Sequence, residues 1–263
     1  EGNCNHRGII IGSSRALIDV DAVLLSEELN RDFFNLGFSG ANTEFHVFGL
    51  NLLLERNQKP DIVLLFMDEF RTFTGTANAK FREDFLRPYV FDDVVYGEYC
   101  QRVDKNYTAG VLSSVYRQNE NTISAISYLL DGTKPPDNTT DVNERGSILL
   151  DDVSPGFTGE YPKEKKDYPV EDEKPELIAA FKEVFTLCKT HAIDLILVYP
   201  PNYRKPSKAF KERIHTHMPY PVPEIVLDTM LQSPEFYYDR GHLNKAGNIK
   251  YTRALAGELK NLN

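Results

Sequence analysis

Two short stretches at opposite ends of the chain hold the residue types that acyl-transfer chemistry needs. Gly12-Ser13-Ser14-Arg15 follows a short apolar run, and Asp239-Arg240-Gly241-His242 stands near the other end. A serine at the junction of a strand and a helix has its hydroxyl in the crevice beyond the strand. Its own backbone N–H then lies at a helix amino terminus, which favours developing negative charge. A carboxylate three residues before an imidazole can fix the ring's tautomer while the other ring nitrogen faces a nucleophile. Ser14, His242 and Asp239 are thus the candidate nucleophile, base and orienting carboxylate. The serine turn also suits two other tasks: capping the next helix, or cradling an anion such as the phosphate of a flavodoxin-like protein. Spacing alone leaves all three uses open.

Other reactive side chains form weaker patterns. His215-Thr216-His217 sets two rings on one face of an extended segment, with no third ligand nearby, so no metal site is expected. Cys4, Cys100 and Cys188 match no ligand spacing, and their odd number leaves at least one thiol unpaired. Cys188 reads as a small core residue of a helix. Asn106-Tyr107-Thr108 and Asn138-Thr139-Thr140 match glycosylation sequons. No cofactor motif is expected beyond these.

The elements that must position the candidates follow from periodicity. Gly8 to Ile11 is a buried strand running into a tight turn, followed by a helix over 19–30. Phe33 to Gly37 makes a second strand, 43–56 a helix, and Ile62 to Met67 a third strand. From 72 to 130 the pattern is mostly helical, and from 131 to 172 irregular, with turns at Pro135-Pro136-Asp137-Asn138 and Pro155-Gly156. Beyond Pro175, Leu177, Phe181, Val184, Phe185 and Cys188 share a helical face. A strand over Ile193 to Val198, a short one at Ile225-Val226-Leu227 and a helix from Asn244 to Leu259 close the chain. Alternating strands and helices of this kind predict an α/β fold, a three-layer α/β/α sandwich around a five-stranded parallel sheet. The expectation is a single domain over 1–263 with a large insertion at about 72–172. Ligands of such sheets sit beyond the carboxyl ends of the strands, and the serine turn falls at such an end while the histidine motif falls just before the last helix.

Composition narrows the function. The 263 residues are 41% hydrophobic, enough for one large core, and the formal net charge is -9. The basic residues are scattered rather than gathered into a stripe, which argues against a nucleic-acid partner. No apolar run approaches the roughly 20 residues of a membrane span. The chain starts at Glu1, which is compatible with an anchor or leader lying upstream.

Gly12-Ser13-Ser14, then Asn35-Leu36-Gly37-Phe38-Ser39-Gly40, then Asp239-x-x-His242-Leu243-Asn244-x-x-Gly247 resemble, in order and position, three of the four blocks of the SGNH (GDSL-like) hydrolases. The wording is most similar to cell-envelope members of polysaccharide O-acetylation and D-alanyl transfer, where Gly-Ser-Ser replaces Gly-Asp-Ser. The resemblance covers 8–70 and 175–262. It implies Ser14 as nucleophile, the N–H groups of Ser14 and Gly40 as oxyanion donors, His242 as base and Asp239 as its orienting carboxylate. One block departs: Gly-x-Asn-Asp, whose asparagine supplies another oxyanion donor, is replaced here by Phe66-Met67-Asp68-Glu69. An ionised Asp68 would repel an oxyanion, and losing one donor costs about 100- to 1,000-fold in turnover. Asn42 and Arg15 are the expected substitutes.

The resemblance implies a serine-dependent ester hydrolase or O-acyltransferase for an acylated glycan or small ester. It also implies an extracytoplasmic setting and the possibility of a membrane-bound acyl-transfer partner. The alternative, prompted by Asp68, is a non-catalytic carbohydrate-binding or scaffold protein that keeps the sandwich with a degraded oxyanion site.

Overall fold

The computed structural model describes residues 3–69, 71–75, 80–102, 142–151, 154, 157, 168–203 and 207–262, with backbone alone at 84 and 87. The chain divides into two compact units, Glu1–Phe81 with Asp141–Asn263, and Arg82–Thr140.

In the first unit the order is β1 (Gly8–Ile11), α1 (Ser14–Asp19), α2 (Ala22–Leu29), β2 (Phe33–Asn35), α3 (Thr43–Arg56) and β3 (Ile62–Phe66). In the second unit, α4 (Glu83–Leu86) is followed by α5 (Asp93–Arg102), which buries Val95 and Tyr99. Back in the first unit come α6 (Pro175–Thr190), β4 (Asp194–Tyr199), α7 (Lys208–His217), β5 (Glu224–Val226) and α8 (Lys245–Leu262). Both sequons, both expected proline turns and most of the expected insertion lie outside the described residues.

The fold is α/β, with five strands, all parallel, in the order β2-β1-β3-β4-β5. β1 and β3 are buried along their whole length, as continuous Ile/Val/Leu runs require when helices cover both faces. Successive strand side chains point to opposite faces. Ile9, Ile11, Val63, Leu65, Leu195 and Leu197 pack with α3, α6 and α7 through Leu50, Phe181, Phe185 and Ile214. Ile10, Leu64, Phe66, Ile196 and Val198 pack with α1, α2 and α8 through Ala16, Leu25, Tyr251 and Leu255. Each such apolar side chain contributes about 1.5–3 kcal/mol on full burial.

Two expected elements differ. The helix expected over 19–30 is Ala22–Leu29, preceded by a separate helix, α1, that ends at Asp19, because Val20 is extended (φ -127, ψ 136) and Asp21 starts a new helix by accepting the Val23 N–H at 3.0 Å. His215 to His217, expected as extended, lie in α7. Ser207 caps that helix, and Phe210 and Ile214, four apart, bury one face of it.

β2 lies on one side of β1 and β3 on the other, so the chain reverses direction across the sheet at β1. A crevice opens beyond the carboxyl ends of the strands at such a reversal. Ser13 and Ser14 follow β1 there, and Asp68 follows β3.

Candidate functional site

The turn after β1 is built around close approach. A Cβ on Gly12 would stand 2.8 Å from both Ala16 Cβ and Phe66 Cβ, so a side chain there would force β1, α1 and β3 apart. Ser13 then caps α1, its Oγ accepting the Arg15 N–H at 3.3 Å while donating to Asp68 Oδ2 at 2.8 Å. Ser14 is the first residue of α1, where a backbone N–H has no acceptor within the helix.

The loop before α8 holds the other two groups. Asp239 Oδ1 accepts the backbone N–H groups of Gly241 (2.7 Å) and His242 (2.9 Å), closing a tight turn. Both carboxylate oxygens also lie 3.0 Å from His242 Nδ1. The opposite ring nitrogen, Nε2, is 2.8 Å from Ser14 Oγ. With Nδ1 protonated and hydrogen-bonded to the carboxylate, Nε2 accepts from the serine hydroxyl. Burial opposes ionisation of Asp239, but the hydrogen bonds from the His242 ring and the two backbone N–H groups, with the ring's charge, outweigh it. The carboxyl is held below the usual range.

What brings the two ends of the chain together is a set of buried polar ties from α1 to the α8 region. Asp19 Oδ1 accepts the Leu243 N–H at 2.8 Å, Asn248 Nδ2 donates to the Ile18 carbonyl at 2.6 Å, and Thr252 Oγ1 accepts the Asp21 N–H at 3.0 Å. Asp19 is fully buried. Burial pushes its pKa up, against the Arg15 guanidinium, the His242 ring and the Leu243 N–H.

The expected substitute donors are engaged elsewhere. Arg15 is buried, its Nε 3.1 Å from Asp19 Oδ2 and its Nη2 donating to the Pro201 carbonyl. Asn42 caps α3, accepting the Phe45 N–H at 3.1 Å and donating to Glu44 at 3.1 Å. Neither hydrogen-bonds Ser14 or His242 among the described residues. Gly40 has a left-handed φ of 70°, and its N–H meets no acceptor among the described residues. Its loop is tied to the end of β1, since the Phe38 N–H donates to the Gly12 carbonyl at 2.9 Å.

Sequence reasoning missed Arg71. The Asp68 carbonyl accepts the N–H groups of Arg71 (3.1 Å) and Thr72 (3.0 Å), and Thr43 Oγ1 clamps the turn by donating to the Thr72 carbonyl at 2.6 Å. Arg71 Nε lies 3.6 Å from Asp68 Oδ2, and Nη1 donates to Ser14 Oγ at 3.3 Å. The only sequence signal was an arginine three residues after an acid, at turn spacing. His46 was also missed. Its Nε2 meets no hydrogen-bond partner among the described residues, and burial holds its pKa down to about 4 against the Asp68 charge and the Gly12 carbonyl. Of the two histidines considered for metal, His215 pairs with Glu224 and His217 with Glu173, and no cluster of metal-ligating groups occurs among the described residues.

Ser14 is 2% exposed, whereas the side chains on either side of its hydroxyl, Arg71 and His242, are 25% and 21% exposed. A cavity of about 610 Å3 lies at the amino-terminal end of the strands, beside Phe33, Ile62 and Asp194, and includes none of these groups.

Fold and site together define a doubly wound α/β unit with a hydrogen-bonded serine–histidine–aspartate chain at its switch point. No protein-family model and no curated protein sequence matches the chain. Among solved structures it is similar to a carbohydrate esterase whose active site displays divergent catalytic and non-catalytic binding functions. That likeness has a TM-score of 0.43 and 10% identity, and covers 98% of this chain and 65% of that one. It is also similar to an acetyl xylan esterase from the rumen bacterium Butyrivibrio proteoclasticus, with a TM-score of 0.38, 12% identity, and coverage of 98% and 64%. The chain thus spans a little under two thirds of the length of each.

Proposed function

We propose that the protein is a serine-dependent ester hydrolase or O-acyltransferase acting on an acylated carbohydrate. The observation that carries this reading is the continuous hydrogen-bond chain from Ser14 Oγ through the His242 ring to Asp239, at 2.8 and 3.0 Å.

Those distances suit general-base activation of a hydroxyl. As Ser14 Oγ bonds to the ester carbonyl carbon, its proton passes to His242 Nε2, and the carbonyl π pair moves onto oxygen. Asp239, held ionised, stabilises the imidazolium. Collapse of the tetrahedral adduct breaks the bond to the alkoxy oxygen, which takes the proton from His242. Water then regenerates the serine in hydrolysis, and a sugar hydroxyl does so in transfer. The backbone N–H groups of Ser14 and Gly40 are the oxyanion donors in this reading.

The glycan substrate, the cell-envelope setting and an acyl-donating membrane partner are supported by the sequence blocks that resemble envelope SGNH proteins. The acidic, unclustered charge fits a partner other than nucleic acid. A serine-directed phosphonate should label Ser14, and Ser14→Ala should abolish turnover of p-nitrophenyl acetate. An unlabelled protein whose Ser14→Ala form is equally active would end this reading. The second reading, a non-catalytic carbohydrate-binding or scaffold protein, rests on the carboxylate of Asp68 one residue's contact away from Ser14. Mass-spectrometric capture of an acyl adduct on Ser14 would exclude it.

A further inference from the structure

The reading above leaves one reacting atom with a neighbour that has no role. Ser14 Oγ is contacted by His242 on one side and by the Arg71 guanidinium on the other. A cation beside a nucleophilic oxygen is unusual for a side chain that only solvates the surface, and this one is held in place. Asp68 Oδ2 sits 3.6 Å from its Nε, and that same oxygen accepts the Ser13 hydroxyl at 2.8 Å. The turn carrying both residues is closed by the Arg71 and Thr72 N–H groups on the Asp68 carbonyl. Asp68, which on sequence alone would repel an oxyanion, is therefore partly neutralised by an ion pair and a hydroxyl donor.

We propose that Arg71 is the side-chain oxyanion donor of this site, and that Asp68 is the positioning residue that aims it. The proposal rests on the ester-cleaving reading. In the resting site Arg71 Nη1–H points at Ser14 Oγ. When Oγ bonds to the carbonyl carbon it becomes an ester-type oxygen and a poorer acceptor. The carbonyl oxygen, one bond further on, takes the electron pair and becomes the better one. A small movement of the part-exposed guanidinium transfers the hydrogen bond from Oγ to the new oxyanion, so the contact strengthens as charge develops. Because Ser14 is 2% exposed, an incoming carbonyl must occupy space that the guanidinium now shares.

The test compares Arg71→Met, Arg71→Lys, Asp68→Asn and Ser14→Ala with the unaltered chain on p-nitrophenyl acetate, the forms that keep Ser14 counted by active-site titration with a serine-directed phosphonate and Ser14→Ala by protein concentration. Arg71→Met should lower kcat by about 100- to 1,000-fold with KM changed far less. Millimolar guanidinium should restore part of that loss, while urea should not. Arg71→Lys, which keeps the charge and loses the fork, should fall between. Asp68→Asn should lower kcat without abolishing it, and guanidinium should not rescue it. If Arg71→Met turns over at the normal rate while Ser14→Ala is dead, Arg71 has no such role and the esterase reading stands. If Ser14→Ala is as active as the unaltered chain, the esterase reading itself falls. Should Arg71→Met fail to fold, the Arg71→Lys rate decides, and a rate equal to the unaltered chain's with no response to guanidinium overturns the proposal.

Discussion

Asp19, on the first helix of the sheet, accepts the backbone N–H of Leu243 at 2.8 Å, one residue beyond the imidazole that meets Ser14. Its other oxygen lies 3.1 Å from Arg15 Nε. A single buried carboxylate thus joins the serine turn to the histidine loop.

Removing that carboxylate should cost both stability and alignment. Asp19→Ala leaves the buried Arg15 guanidinium, among the described residues, with the Pro201 carbonyl as its remaining acceptor, and breaking one side of a buried ion pair costs about 3–5 kcal/mol. Urea denaturation should show a loss of that order, and Arg15→Met added to Asp19→Ala should recover part of it. The two single changes adding independently would contradict the coupling.

Exchange of Asp239 separates chemistry from folding. In Asp239→Asn the side-chain oxygen can still accept from Gly241 and His242 N–H, so the loop should keep its turn. The amide cannot hold the ring in the tautomer that leaves Nε2 free to accept from Ser14. Where a serine–histidine–aspartate chain is broken in this way the loss is about four orders of magnitude in kcat. The expected outcome is that loss in steady-state kinetics, with the turn kept and the melting temperature lowered only by what the ionised carboxylate contributed. As Asp239 is held below the usual carboxylate range, the stability it contributes is present above the ordinary value and lost as pH falls through the lowered one.

His46 supplies a second pH dependence with a definite window. Its ordinary value of 6.5 falls to about 4 through burial, which Asp68 and the Gly12 carbonyl only partly oppose. Between those values the unfolded chain binds the proton and the folded chain does not, so stability rises with pH. The contribution is complete above about 6.5 and lost as pH falls through about 4, roughly 3 kcal/mol in all. His46→Asn, which keeps a donor for the Gly12 carbonyl, should flatten the stability curve over that window. An unchanged slope would show that the ring is not the source.

The central strands were legible because β1, β3 and β4 each contain an uninterrupted run of Ile, Val or Leu, and the helix beyond Pro175 because Leu177, Phe181, Val184 and Cys188 recur on one face. β2 ends earlier than its apolar run because Asn35 Oδ1 accepts the Gly37 N–H at 2.8 Å, which turns the chain out of the strand. The break at Val20 depends on Asp21 capping and on Thr252, which is far away in sequence. Ser14, Asp239 and His242 could be nominated because each sits in a short local pattern. Their approach depends on Asp19, Asn248 and Thr252, which read as ordinary helix-surface residues until the helices are packed. Arg71 was invisible for the same reason: an arginine beside an acid reads as solvated unless the strand ends that hold Ser13 and Asp68 are seen together.

That contact between Ser13 and Asp68 joins two positions whose residue types differ from Gly-Asp-Ser and Gly-x-Asn-Asp. The usual acid of the first block is a serine here, and the usual amide of the third is an acid. With Ser13 Oγ only 2.8 Å from Asp68 Oδ2, an acid at both positions would set two carboxylates against each other. Ser13→Asp alone should therefore destabilise the protein, more strongly at neutral pH than in acid, where one carboxyl can take up a proton. Asp68→Asn in the same chain should relieve the repulsion, because the amide can donate to the new carboxylate and Arg71 keeps an acid within reach. Contacting pairs show coupling of about 0.5–3 kcal/mol in double-mutant cycles, and a value in that range, favouring the double variant over the sum of the singles, is expected. Simple additivity across the cycle would mean that the two positions act independently.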